Sequence, residues 1–269
     1  MSTDIAQTAV VDPRAKIGNR VRIGHFCVIG PDVTIGDGTR IDNHVEISGV
    51  TTVGEDNHFF AGCVIGGFPQ DTSYRETPTR VEIGDGNTFR EQCTVNRGTD
   101  KEEGVTRIGD DNYFMTQCHI AHDCLLGDRI VIANNAMLGG HVHIANDVTI
   151  AGGVGVHHFA SIGQLAFVSA MSRVLHDVPP YMIVDGQPSR PRACNSIGLK
   201  RHDYPADDIR VLMNAFKLLY RQRVGVEVAR AELLGQGPIR PVLKHLFDFI
   251  DHTSGGRHGR GRDRRRNAA

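Results

Sequence analysis

The most restrictive feature of the chain is a bulky apolar residue at every sixth position. From Val11 the steps land on Ile17, Ile23, Ile29, Ile35, Ile41, Ile47, Val53, Phe59 and Ile65. A second run starts at Ile108 and passes through Phe114, Ile120, Leu126, Ile132, Leu138, Ile144, Ile150, Val156, Ile162 and Val168 to Val174. An α-helix, with its period of 3.6, scatters such a series around its circumference, whereas a short strand and a turn per six residues keep it on one side. Glycine often follows the ladder residue, as at Gly18, Gly24, Gly30, Gly36, Gly54 and Gly66. Repeats of this kind build a parallel β-helix. If three hexads close one coil, residues 18 apart stack, with about 4.8 Å between coils.

The pattern resembles the left-handed β-helix of the hexapeptide-repeat transferases. The expected fold is therefore an all-β left-handed parallel β-helix of hexapeptide repeats over 1–190, followed by a small α-helical C-terminal domain over 191–252. Asp71 and Thr77 occupy ladder addresses between Ile65 and Ile83, so a loop near 66–82 leaves the coil. Thirteen residues separate Val95 from Ile108, so a second loop is expected near 96–107. The period ends after Val174 at the proline-rich HDVPPYMIVDGQPSRP. Ile209, Leu212, Met213, Phe216, Leu219 and Tyr220 then line one helical face, and Ile239, Val242, Leu243, Leu246, Phe247 and Ile250 line another. A shorter helix is expected around Val226–Leu234. Residues 253–269 are basic and glycine-rich and read as a disordered tail.

Composition narrows the function. Lys+Arg 30 against Asp+Glu 31 leaves no net field for nucleic acid or an anionic membrane. The opening MSTDIAQTAVVDP has neither a basic stretch nor an apolar core, and nowhere do 18 apolar residues run together. No transmembrane segment is expected, and the reading is a cytoplasmic protein. Of the six cysteines, Cys27, Cys63, Cys93, Cys118 and Cys124 lie four residues after a ladder residue, where other repeats place Val, Ala, Ser or Thr. With no C-x-x-C pair, they read as small core residues.

The ladder is broken chemically at QCHIAHDCLLG, where His119 and His122 enter. Stacking at 18 residues places His122, Gly140 and His158 in one column, with His141 and His157 beside it. Six histidines, His119, His122, His141, His143, His157 and His158, fall within forty residues. An imidazole takes a proton from an alcohol near neutral pH, and a glycine lets a backbone N–H approach an oxyanion. Acyl transfer to a hydroxyl needs both parts. Asp123 is a candidate to orient His122. No nucleophile-elbow serine or cysteine is evident, which favours direct attack by an acceptor hydroxyl.

IAHDC at 120–124, NNAMLGGH at 134–141, DVPPY at 177–181, GLKR at 198–201 and NAFKLLYR at 214–221 together resemble the UDP-N-acetylglucosamine O-acyltransferases that begin lipid A synthesis. PQD at 69–71 and PTRVEIGD at 78–85 fit the same family. The resemblance implies catalysis by His122, Asp123 and Gly140. His122 acts as base on the 3-hydroxyl of the sugar, which attacks the thioester of a 3-hydroxyacyl chain on acyl carrier protein, while Gly140 N–H meets the oxyanion. It further implies substrate contacts at Asp71, Ser73, His141, His157, His158, Ala170, Asn195 and Arg201, a homotrimer with sites between subunits, and no cofactor.

The chain departs from the family at four positions. Ser73 stands where many members have a lysine, His158 where glutamine is frequent, Ile197 where glutamate is frequent and Ala170 where members accepting longer chains tend to have glycine. Lys200, Arg201, Arg221 and Arg223 offer a local basic patch for an acidic carrier protein. Three other readings stand beside this one: an acyltransferase using another nucleotide sugar, an amine acceptor or a short acyl-CoA; a zinc trimer of the carbonic anhydrase type; and a non-catalytic binding module. Against zinc, His119 and His122 are three apart, and strand residues alternate faces, so no metal ligand is assigned.

Overall fold

The computed structural model describes residues 2–235, 240–256 and 259–266, with backbone alone for 264–266. Its body is a left-handed β-helix whose three parallel sheets form the faces of a prism. Short strands such as Val131–Ile132 build the first face, His119–Ile120 and Met137–Leu138 the second, and Leu125–Leu126 and His143–Ile144 the third. Stacked strands are 18 residues apart through most of the coil, as in Val10↔Val28 and Leu125↔His143. Where the ladder breaks, the offset becomes 30, as in Val50↔Arg80 and Val64↔Thr94. It is 25 across the second break, as in Arg80↔Val105 and Thr94↔His119. The extra residues leave the coil as two excursions, which meet where Asn96 donates to the Phe68 carbonyl and the Arg97 guanidinium lies 4.0 Å from the Phe68 ring centroid.

Ladder residues fill the prism interior. Phe59, Phe89 and Phe114 stack at centroid separations of 4.8 Å each, and Asn57, Asn87 and Asn112 form a buried amide ladder beside them. All six cysteines are buried and free. Each coil gives up a backbone N–H and C=O to the coils above and below, so a repeat is stable only in the stack. Many corners carry a non-glycine residue at positive φ; Asp123, His141 and Phe159 do so at 59°, 61° and 63°. Asp and His tolerate this left-handed conformation better than most residues.

The last coil is closed by Met182–Gly186, parallel to Phe167–Val168, with Ser189–Cys194 returning antiparallel. Helices α1 (Ser196–Arg201), α2 (Ala206–Phe216), α3 (Val226–Leu234) and α4 (Pro241–Ser254) follow, and α2 runs on through Lys217–Gln222 as a wider π-type turn. Their shared core holds Leu199, Ile209, Leu212, Leu218, Leu246 and Phe247. The buried stripe of α2 is Ile209, Leu212 and Ala215, continued by Leu218; Met213 is 53% exposed, so it leaves the face the sequence assigned it to. Ile239 lies outside the described residues. The expectation of disorder after residue 252 needs correction for the described part. Helix α4 continues to Ser254, and a further helix, α5 (Gly261–Arg266), lies against the β-helix. Residues 257–258 and 267–269 of that expectation lie outside the described residues.

Candidate active site

The corner between the second and third faces carries 121–124, 139–142 and 157–160 on successive coils. Parallel stacking at 18 residues puts His122 beneath Gly140. The contact is close: a Cβ added to Gly140 would fall 2.5 Å from His122 Cε1 and 2.7 Å from Nε2. Glycine is therefore required for the imidazole to lie where it does. Gly140 is buried, its carbonyl accepts from Phe159 N–H, and among the described residues its own N–H has no partner in the chain. An unpaired N–H on a buried residue is rare enough to need a reason, and this one belongs to the glycine that rests on a catalytic base candidate.

Asp123, 1% exposed, fixes the ring. Its Oδ2 accepts His122 Nδ1 at 2.8 Å and Thr99 Oγ1 at 2.7 Å, while Oδ1 accepts Thr99 N–H at 2.8 Å. Burial alone pushes the carboxyl up, but hydrogen bonds from His122 and Thr99 and the nearby His141 overcome it and hold Asp123 below its ordinary value. An ionised Asp123 keeps the proton of His122 on Nδ1, so Nε2 is the free acceptor. His141 packs edge-on to His122, with centroids 5.1 Å apart at 89°, and stacks flat on Phe159 at 4.3 Å and 3°. Its Nε2 lies 3.7 Å from Asp123 Oδ2, and its Nδ1 lies 3.1 Å from Glu102 Oε2, off the hydrogen-bonding direction.

His157 and His158 sit one coil above His141, with ring centroids 3.8 Å apart. Burial, and then the neighbouring His157, lowers the His158 pKa. His119 lies on the second face instead, where its Nδ1 meets Thr94 Oγ1 at 2.7 Å. Its pKa is lowered by burial and secondly by His122. The two histidines that look like a pair in sequence thus lie on different parts of the coil, His119 in the strand of a face and His122 at the corner after it. A metal ion could draw on His122, Asp123 and His141, whose ligand atoms lie within 4.8 Å of one another. Those of His122 and Asp123 already bond to each other, and the Oδ2 they would share is also held by Thr99.

The remaining sequence candidates are spread around the prism. Asp71 and Ser73 lie on the first excursion, where Ser73 donates its N–H and hydroxyl to Asp71 Oδ1. Lys101 of the second excursion forms an ion pair with Asp71, which lowers the Asp71 pKa; its backbone N–H donates to Thr99 Oγ1. Ala170 is exposed at a different corner, between the first and second faces. Asn195 caps α1: Oδ1 accepts Gly198 N–H and Nδ2 donates to the Leu165 carbonyl at the third corner. Arg201 is exposed at the end of α1. The sequence reading overlooked Thr99, Glu102, Phe159 and Arg262. Thr99 had a signal: carrying the 25-residue offset of His119 and Thr94 onward sets Gly98 beneath Asp123 and Thr99 beside it.

Comparisons with known proteins agree with the fold. Residues 177–261 match the model of domain 2 of UDP-N-acetylglucosamine O-acyltransferase, and residues 14–49 match the bacterial transferase hexapeptide. An acyl-(acyl-carrier-protein)–UDP-N-acetylglucosamine O-acyltransferase of Paracidovorax citrulli is 48% identical over 258 residues, covering 94% of this chain and 98% of the relative. That of Halorhodospira halophila is 43% identical over 254 residues, with the same shares of 94% and 98%. The solved UDP-N-acetylglucosamine acyltransferase of Bacteroides fragilis superposes with a TM-score of 0.88 at 33% identity, over 91% of this chain and 96% of that one. The enzyme of Francisella novicida gives 0.86 at 37%, over 91% and 90%.

Proposed function

The chain belongs to the UDP-N-acetylglucosamine O-acyltransferase family and transfers an acyl group from acyl carrier protein to UDP-N-acetylglucosamine in the first step of lipid A biosynthesis, and we propose that His122 is its general base. The observation that carries this assignment is the His122 ring lying on the Gly140 backbone, with Nδ1 tied to buried Asp123. His122 Nε2 takes the proton of the sugar 3-hydroxyl as its oxygen attacks the thioester carbonyl of a 3-hydroxyacyl chain. The C–O bond forms, and negative charge gathers on the carbonyl oxygen, where Gly140 N–H donates. As the C–S bond breaks, His122 returns the proton to the departing thiol of the carrier. Asp123 stays ionised throughout and stabilises the imidazolium.

His141, His157 and His158, on or beside the same column, bind the sugar nucleotide. Asp71, with Ser73 and Lys101, orients an acceptor from the excursions. The groups implied by the resemblance lie at three different corners of one chain: His122 at one, Ala170 at the second, Asn195 at the third. Only a neighbouring copy can bring them to one cleft, which supports a homotrimer with its sites between subunits. Exposed Lys200, Arg201, Arg221 and Arg223 suit an acidic carrier protein. Six buried free thiols suit a reducing cytoplasm, and among the described residues no helix is long and apolar enough to cross a membrane.

The test is acylation of UDP-N-acetylglucosamine by purified protein with 3-hydroxyacyl carrier proteins. His122→Ala is expected to abolish turnover while the fold survives. Thioester-dependent acylation at the wild-type rate in that variant would remove His122 from the mechanism. Light scattering is expected to give three times the chain mass.

A further inference from the structure

The C-terminal segment reaches the candidate active site by a built path. Gly259, at φ 67°, lies flat against Asp177, where a Cβ would fall 2.3 Å from the carboxylate. The same Asp177 Oδ1 accepts Ser161 N–H of the coil at 2.8 Å and Arg260 N–H of the segment at 2.9 Å. Arg260 Nη1 then meets His157 Nδ1 at 2.9 Å and the His158 carbonyl at 2.7 Å, and Asp263 Oδ2 lies 3.4 Å from His158 Nε2. A composition that reads as a solvated tail is, at Gly259, the means of close approach to a carboxylate.

Arg262, its side chain 13% exposed, ends inside the corner. Nη1 lies 3.3 Å from Glu102 Oε1 and 3.0 Å from His143 Nε2, and Nη2 donates to the carbonyls of His141 and, at 3.3 Å, Phe159. The guanidinium carbon stands 5.3 Å from the Phe159 ring centroid. The surrounding cavity, about 320 Å³, is lined by Asp123, Glu102, Glu103 and His143. Two carbonyls from successive coils, a carboxylate, an imidazole lone pair and an aromatic face match the planar fork of a guanidinium. Three carboxylates on the wall favour a cation there.

We propose that this corner is a guanidinium-binding site whose ligand is Arg262 of the chain's own C-terminal segment, and that this segment and the nucleotide sugar exclude one another from the cleft. The exclusion rests on the function proposed above; the docking does not. The segment blocks the approach to His141 and His158, and an arriving diphosphate must displace it.

Docking is read on the full-length protein by trypsin, with the bonds after Arg260 and Arg262 followed by mass spectrometry. Slow cleavage in the wild type and cleavage at least several-fold faster in Gly259→Val or Arg262→Ala, at their remaining sites, are expected. Equal rates in all three would overturn the site. Saturating UDP-N-acetylglucosamine is expected to speed cleavage of the wild type and leave Gly259→Val unchanged; slower cleavage would make the segment part of the substrate site and overturn the exclusion. In turnover, both variants are expected to lower KM for the nucleotide sugar several-fold at constant kcat, and a raised KM counts against exclusion. A protein inactive on this acceptor would fail the proposed function, yet its substrate-free cleavage would still decide docking.

Discussion

The His122 ring and the Gly140 backbone are in such close contact that one methyl group on Gly140 would lie 2.5 Å from the imidazole Cε1. The ring and the Gly140 N–H therefore form one unit, built by two residues a single coil apart.

Gly140→Ala tests that unit. The methyl must push the imidazole off its place while the coil hydrogen bonds remain, so kcat is expected to fall by roughly 10²-fold or more. Thermal unfolding is expected to move far less than activity. Steady-state kinetics beside calorimetry separate the two, and an active Gly140→Ala enzyme would show that the base tolerates displacement.

Asp123→Asn keeps the shape and removes the charge. The amide can no longer hold the proton on His122 Nδ1 or stabilise the imidazolium, and kcat is expected to drop by about 10²- to 10⁴-fold. Asp123 has a depressed pKa in the folded chain, so its ionised form adds stability at pH values above its unfolded value of about 3.9, and that stability is lost as pH falls through the lower folded value. The wild type is thus expected to exceed Asp123→Asn in stability at neutral pH, with the gap closing in acid. A pH series of denaturant melts reads it.

His119 gives the same pH sign in a higher window. Burial lowers its pKa, so the unfolded chain binds its proton more readily than the folded one. The wild type is expected to lose stability as pH falls below about 6.5. His119→Gln, which can keep a hydrogen bond to Thr94, does not titrate. Melting temperatures of the two at pH 7.5 and 5.5 are expected to differ more at the higher pH; a constant difference would mean that His119 titrates alike in both states.

Asn195 serves the fold within its own chain. Asn195→Ala removes the α1 cap and leaves the Leu165 carbonyl without its donor, an expected loss of about 1–2 kcal/mol in unfolding free energy. KM for UDP-N-acetylglucosamine tests its second role. A rise in KM beyond the stability effect is expected if Asn195 also faces the cleft of a neighbouring subunit. Unchanged KM would leave Asn195 a capping residue alone.

Much of this was legible because a β-helix repeats by translation. Once Ile120, Leu138 and Val156 are seen to share a period, the neighbours of His122 follow by counting, and the structure places Gly140 where counting does. The small cysteines fall in the core for the same reason. Met213 failed because apolarity does not decide which side of α2 faces the sheet; Ala215 and Leu218 took the buried stripe. His119 and His122 look like a pair in sequence, but the strand ends at Ile120, so one lies on a face and the other at the corner.

The sequence by itself determined the coil, its register and the His122–Gly140 column, since a short-range period dictates all three. Only the tertiary structure decided that Thr99 would buttress Asp123, that Lys101 would meet Asp71, that Asn195 would cap a helix and that Arg262 would enter the corner. Excursions and termini have no period. Their side chains are placed by hydrogen bonds and charges on groups far away in the chain, and no spacing in the sequence carries those positions.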